Sequence, residues 1–172
     1  MINDKFKEVF ELSQKLHQKE LKKVYDELSK IDEKIGTFDE FIKQNKKEQE
    51  KEIPPEKKQL IENAYLSKDN IKKENINFNL YLFHRKYIDS IKFDDNYKPL
   101  PLREKEIYEY GVVVSMEDES GYYDISGVFG GIDSDEHFAR DKYNALKSKV
   151  EKSSLEDLLE ELKADILKQI NE

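Results

Sequence analysis

Leu21, Val24, Leu28, Ile31, Ile35, Phe38 and Ile42 follow one another at alternating steps of three and four. Such a series stays on one side of a helix, whereas in a strand it would scatter over both faces. Phe10, Gln14 and His17 extend the seam backward, and Phe6, Val9, Leu12 and Leu16 add a second apolar stripe near the start. The spacing therefore predicts one helix over residues 6–35. Gly36 can end a helix in the left-handed conformation, and Thr37 with Glu40 fits a capping box, so the helix is expected to restart near 37. A stripe of a and d positions needs a cover. The expected cover is another helix of the same chain, in a long-helix hairpin that leaves the protein a monomer. The alternative is a coiled-coil dimer.

Prolines and glycines divide the chain. Pro54–Pro55 and the pair Pro99 and Pro101 bar helix at the residues before them. Five of the 6 glycines lie between Gly111 and Gly131. This pattern predicts a helical region over 1–98 and a mixed module over 102–172. After the break at 54–55, Leu60, Ile61, Ala64 and Tyr65 suggest a short helix. The next stretch fits two periods. Ile76, Phe78, Leu80 and Leu82 alternate as a strand would, while Ile76, Leu80, Phe83, Tyr87 and Ile91 fit a helix. Helix over about 70–92 is favoured because the pattern outlasts a typical strand, although Asn is a weak helix former.

The C-terminal module reads ββα-α. Tyr108, Tyr110, Val112, Val114 and Met116 alternate, MEDESGYY supplies a turn, and Tyr123, Ile125 and Phe129 continue on a return strand. Asp133 or Ser134 caps a helix carrying Phe138, Ala139, Tyr143, Leu146 and Val150. Leu155, Leu158, Leu159, Leu162, Ile166 and Ile170 form a one-sided stripe on a last helix. An isolated hairpin is marginal in water, so this one must pack on a helix. The expected fold class is α+β, mainly α.

Chemistry is constrained mostly by what the chain lacks. It has no Cys among its 172 residues, which removes disulfides, thiolate nucleophiles and zinc–thiolate sites. GVFGGIDS contains glycines but neither phosphate-loop pattern. No apolar run approaches the roughly 18 residues of a membrane span, and INDKFKEVF is not a signal sequence, so a cytoplasmic protein without membrane contact is expected. His17 falls on the seam, where it is expected to be a packing or polar-seam residue, and His84, which adjoins Arg85 and Lys86, is expected on a helix surface. Asp133, Asp135, Glu136 and His137 could ligate a divalent cation, but acids in a first helical turn follow equally from capping and the helix dipole. No metal, cofactor or catalytic residue is assigned, and the protein is expected not to be an enzyme.

Charge is the informative property. The formal net charge is −8, from 30 basic and 38 acidic residues. Residues 1–102 hold 21 basic and 20 acidic groups, and residues 103–172 hold 9 and 18, so the negative excess lies in the C-terminal part. From Glu106 to Glu136 there are nine acids and no Lys or Arg. If Tyr108–Met116 lines the core, then Glu109, Glu117 and Asp124 share the opposite face, with Asp118 and Glu119 on the turn. Such a field repels nucleic acid and attracts a basic protein surface. Glu109, Glu117, Asp118, Glu119 and Asp124, with Tyr122 as an aromatic anchor, are the candidate partner-binding residues. The expected function is that of a non-enzymatic binding or inhibitory protein docking on a basic partner, such as a nucleic-acid-binding enzyme. Two alternatives remain open. One is a nucleic-acid-associated accessory protein using Lys43–Lys51, Lys68–Lys73 and Arg85–Lys86, and the other a structural coiled-coil adaptor.

Overall fold

A computed structural model describes residues 1–88, 92–101 and 104–172. In chain order the elements are α1 (Ile2–Ile31), a 3-10 turn (Glu33–Ile35), α2 (Phe38–Glu50), α3 (Pro55–Ala64), β1 (Tyr65–Lys73), β2 (Ile76–Ile88), β3 (Glu104–Asp118), β4 (Gly121–Asp133), α4 (Glu136–Lys152) and α5 (Leu155–Asn171). The fold is thus mixed helix and antiparallel sheet, with a long N-terminal helix and a ββα-α order at the C-terminal end. The chain divides into two compact units. One comprises Met1–Lys58 with Leu155–Glu172, the other Gln59–Ser154. The boundary expected between 98 and 102 falls within the second unit, and Leu102 lies outside the described residues.

In the first unit α1 runs alongside α5 in the same direction. Lys5 is bonded to Glu156 near the start of both helices. Lys163 pairs with Glu8 at 2.8 Å. Lys19 Nζ donates to the carbonyls of Gln169 and Ile170 at 3.1 and 2.7 Å, satisfying acceptors that the end of α5 leaves free. Phe6 and Val9 on α1, and Leu158, Leu159, Leu162 and Ile166 on α5, are buried. Since Lys19 already meets the last turn of α5, the remaining turns of α1 extend past it. There the seam meets water: Val24, Leu28 and Ile31 are 48, 40 and 84% exposed. The expected burial of this stripe within the chain is therefore corrected, and His17, placed on the same seam, is exposed too.

The break at Gly36 follows the local signals. Gly36 has φ +82°, and a Cβ there would stand 2.1 Å from Glu40 Oε2. That carboxylate is held by the capping box, in which Glu40 N–H donates to Thr37 Oγ1 at 3.2 Å and Thr37 N–H to Glu40 Oε2 at 3.3 Å. α2 then brings Phe38 and Phe41 against Tyr25, with ring centroids 5.5 and 5.7 Å away.

The second unit is an antiparallel sheet in the order β1-β2-β3-β4 with α4 packed on one face. Residues 70–88, expected to be helical, instead form the end of β1, a turn at Glu74 and Asn75, and β2, and Ile91 of that expected stripe lies outside the described residues. The alternating set decided the outcome. Ile76, Phe78, Leu80 and Leu82 are all buried, and β3 answers them with Val112, Val114 and Met116. Asn70, Asn77 and Asn79, which weakened the helical pattern, occupy the other face, where a strand tolerates them, and Asn75 lies in the turn between the strands. The hairpin is thus half of a larger sheet, which removes the marginality of two strands. Ala139, Tyr143, Leu146 and Val150 of α4 complete the core, while Phe138 is exposed. The cap of α4 is Asp135, whose side chain accepts from Phe138 N–H, rather than Asp133 or Ser134.

Candidate interaction surface

The sheet of the second unit has one face against α4 and one open face. Pleating assigns residues alternately, and cross-strand register turns them into rows. On the open face Lys72, Asn77, Ser115 and Asp124 form one such row, from edge strand β1 to edge strand β4. Asn70, Asn79 and Val113 form the next, then Lys68, Tyr81 and Gly111, then Tyr65, Phe83, Glu109 and Ile132.

Amides knit the middle rows. Asn70 Nδ2 donates to Asn79 Oδ1 at 2.7 Å, and Asn79 Nδ2 to Ser115 Oγ at 3.4 Å. Tyr81 lies across Gly111, because a Cβ at that position would meet the Tyr81 hydroxyl at 2.8 Å and its ring carbon at 3.1 Å. Tyr65 packs edge-on against Phe83 and Tyr81, with centroids 4.8 and 6.4 Å away, and Lys68 Nζ sits 4.1 Å above its ring. Between them is a hollow of about 370 Å³ bordered by Tyr65, Lys68, Asn70, Asn79, Tyr81 and Val113. Burial raises the Tyr81 phenol above its ordinary pKa, helped by Glu109.

The acids expected to form one uncompensated surface separate into two groups. Glu109 does face away from the core, but Arg85 of β2 pairs with it at 2.9 Å. Glu106 has Lys86 at 3.8 Å and His84 at 3.6 Å. Asp133 is bonded to Lys142 at 2.7 Å, which with the N–H of Asp135 holds its carboxyl below the usual range. Glu136 pairs with Arg140 at 2.9 Å. The missing cations thus come from β2 and α4, outside the segment that lacked them. Asp118 Oδ1 accepts from Ser120 N–H at 2.8 Å and Ser120 Oγ at 2.6 Å, so it braces the turn. Glu117, Glu119 and Asp124 are exposed and have no ion-pair partner among the described residues. Tyr122, opposite Glu117, is 62% exposed. The structure therefore gathers Glu117, Asp118, Glu119, Tyr122 and Asp124 at one end of β3–β4 and leaves Glu109 in a neutralised pair further along.

The covered face holds a second polar cluster. Tyr143 of α4 donates its hydroxyl to Asp69 of β1, and Lys147 Nζ lies 3.1 Å from the same carboxylate. The Tyr143 bond, then Lys147, hold Asp69 below the ordinary carboxylate range against the opposing effect of burial. Burial, and the bond to Asp69, keep the Tyr143 phenol well above its usual value. No signal in the sequence joins Asp69 to a helix 74 residues later. His84 stacks on Tyr108, with centroids 4.8 Å apart, and its Nε2 is buried without a hydrogen-bond partner. His137 stands 3.5 Å from Asp141, and no group of three His, Asp or Glu among the described residues has metal-site geometry.

No family model, curated protein or solved structure matches this chain. Among the described residues, no helix is long and apolar enough to cross a membrane.

Proposed function

We propose that this chain is a non-enzymatic binding protein that docks a basic protein surface on the β3–β4 side of its open sheet face. The observation that carries this reading is the negative charge left over after pairing. Four of the nine acids are neutralised by β2 and α4, Asp135 caps α4, Asp118 braces the turn, and Glu117, Glu119 and Asp124 are left beside exposed Tyr122. Like charges held on adjacent strands repel, and a basic partner relieves that repulsion while being steered toward the face. An exposed tyrosine within such a field supplies apolar contact at low entropic cost. A nucleic-acid-binding enzyme presents the complementary basic channel, and its occupation by this face would inhibit it.

Anisotropy titration with a fluorescent Lys/Arg-rich peptide tests the reading. The native chain should bind it with an affinity that falls as salt rises. A triple variant, Glu117→Lys, Glu119→Lys and Asp124→Lys, should bind at least about tenfold more weakly and lose the salt dependence. Asp118 is left in place because its carboxylate holds the turn. Equal affinity of the two chains would sink the proposal.

A further inference from the structure

The open face is polarised within itself. Its β1 side carries Lys72, next to a Lys68 that is paired with Glu62 at 2.9 Å, and its β4 side carries Asp124 beside Glu117. Lys72 and Asp124 occupy the two ends of a single four-residue row, and neither has a charged partner among the described residues. Another row runs from Tyr65 and Phe83 on the β1 side to Ile132 on the β4 side, where Ile132 is 62% exposed. The face thus carries a cation opposite an anion, and an aromatic pair opposite a bare aliphatic side chain, at matched heights along the strands.

We infer that the β4 side of this face accepts the β1 side of the same face of a second copy of the chain, related by a two-fold axis parallel to the strands. This inference rests on the preceding reading and names its partner. Two sheets packed face to face can be related by an axis along the strands or across them. The axis across them would lay β1 on β1 and reverse height, so that Lys72 never meets Asp124. The axis along the strands lays β1 of one copy over β4 of the other and preserves height. Lys72 then meets Asp124 of the second copy twice over, and Tyr65 with Phe83 covers Ile132 twice over, as an isologous interface requires. Packed sheets stand about 10 Å apart, within reach of a lysine stem and a carboxylate leaning together. Near the axis Tyr81 of one copy meets Tyr81 of the other, and Gly111 leaves the room beneath each ring. With strands about 4.8 Å apart, the face measures about 19 by 30 Å. Over two copies that is roughly 1,100 Å², near the lower bound for a specific interface, so the association is weak and concentration-dependent.

The test uses sedimentation equilibrium of the full chain from about 10 to 500 μM, at low and at about 0.5 M salt. The native chain should move from 20.5 kDa toward twice that mass as concentration rises, less so at high salt. Lys72→Glu alone and Asp124→Lys alone should each remain monomeric, because each sets like charges against one another at both contacts. An equimolar mixture of the two variants should dimerise. The carboxylate introduced in one chain then faces the ammonium introduced in the other, and the second contact keeps its native pair. The double variant should recover the native behaviour. A native chain monomeric throughout, or a mixture no heavier than its components, would overturn the inference. So would retardation of a single-stranded oligonucleotide that Tyr81→Ala abolishes, because it would give the face another occupant. If the peptide of the preceding test still binds, the acidic docking face survives and only its partner is wrong; if neither copy nor peptide binds, both readings fall.

Discussion

α5 and the distal half of α1 carry apolar stripes of similar period, yet one is buried and the other is largely in water. On α5, Leu158, Leu159, Leu162 and Ile166 are sequestered. On α1, Val24, Leu28 and Ile31 continue a seam whose spacing is at least as regular, and all three are exposed. Along α1 itself the change comes where α5 ends, near the bonds from Lys19 to Gln169 and Ile170. Periodicity states which side of a helix is apolar. Whether that side is covered depends on how far a neighbour reaches, and no residue of the stripe encodes the neighbour's length. The sheet repeats the contrast across its two faces: the face under α4 is a core, and the other is a polar surface with a charge gradient.

Truncating one stripe and then the other puts this contrast to its most severe test. Leu158→Ala on α5 should destabilise the first unit by about 2–5 kcal/mol in denaturant unfolding, the range for emptying a fully buried leucine site. A loss under about 1 kcal/mol would mean that the stripe on α5 is no better packed than that on α1. On the covered face of the sheet, Tyr143→Phe removes one of the two bonds that join α4 to β1 through Asp69 and should cost about 1–2 kcal/mol at neutral pH, because Lys147 still holds the carboxylate.

The same variant separates the two faces of the sheet by pH. Asp69 is lowered in the folded state, chiefly by the Tyr143 bond. A depressed carboxyl contributes stability that is complete above its unfolded pKa of about 3.9 and is lost as pH falls through the lower folded value. The native chain should therefore lose stability in acid below about pH 4, and Tyr143→Phe should lose less over the same interval. Parallel curves for the two chains would show that the bond does not tune Asp69.

The smallest effects belong to the exposed seam. Leu28→Ala should cost less than about 1 kcal/mol, and Ile31→Ser within about 0.5 kcal/mol of nothing, as for surface positions generally. A cost for Leu28→Ala near that of Leu158→Ala, growing with protein concentration, would show that a second copy covers the seam and would restore the coiled-coil reading.

Much of the architecture was legible because it depends on near neighbours in the chain. Gly36 with the Thr37–Glu40 box marked the break between α1 and α2, and the alternation from Tyr108 to Met116 assigned the inner and outer faces of β3. The outward placement of Glu109 and Glu117 followed from that alternation, and that of Asp124 from Tyr123 and Ile125 on the return strand. Residues 70–88 were less legible, since four asparagines and nine apolar side chains, tyrosines included, fit either period until a partner strand is known. The candidate surface was half legible for the same reason: its acids could be listed, but their neutralisation could not.

Local matters were therefore written in the order of residues: where α1 breaks and α2 restarts, which side of α5 and of β3 is apolar, the ββα-α order, and the absence of cysteine chemistry. Four others came only with the folded chain. β1 and β2 join the hairpin in one sheet, and α5 stops short of Val24. Arg85, Lys86, Arg140 and Lys142 neutralise the nearer acids, and Lys72 shares a row with Asp124. The division follows from the range of the forces. Caps, turns and amphipathic periods act over one or two turns of chain, whereas strand pairing, helix cover and ion pairing act between groups far apart in sequence whose meeting is a property of the fold.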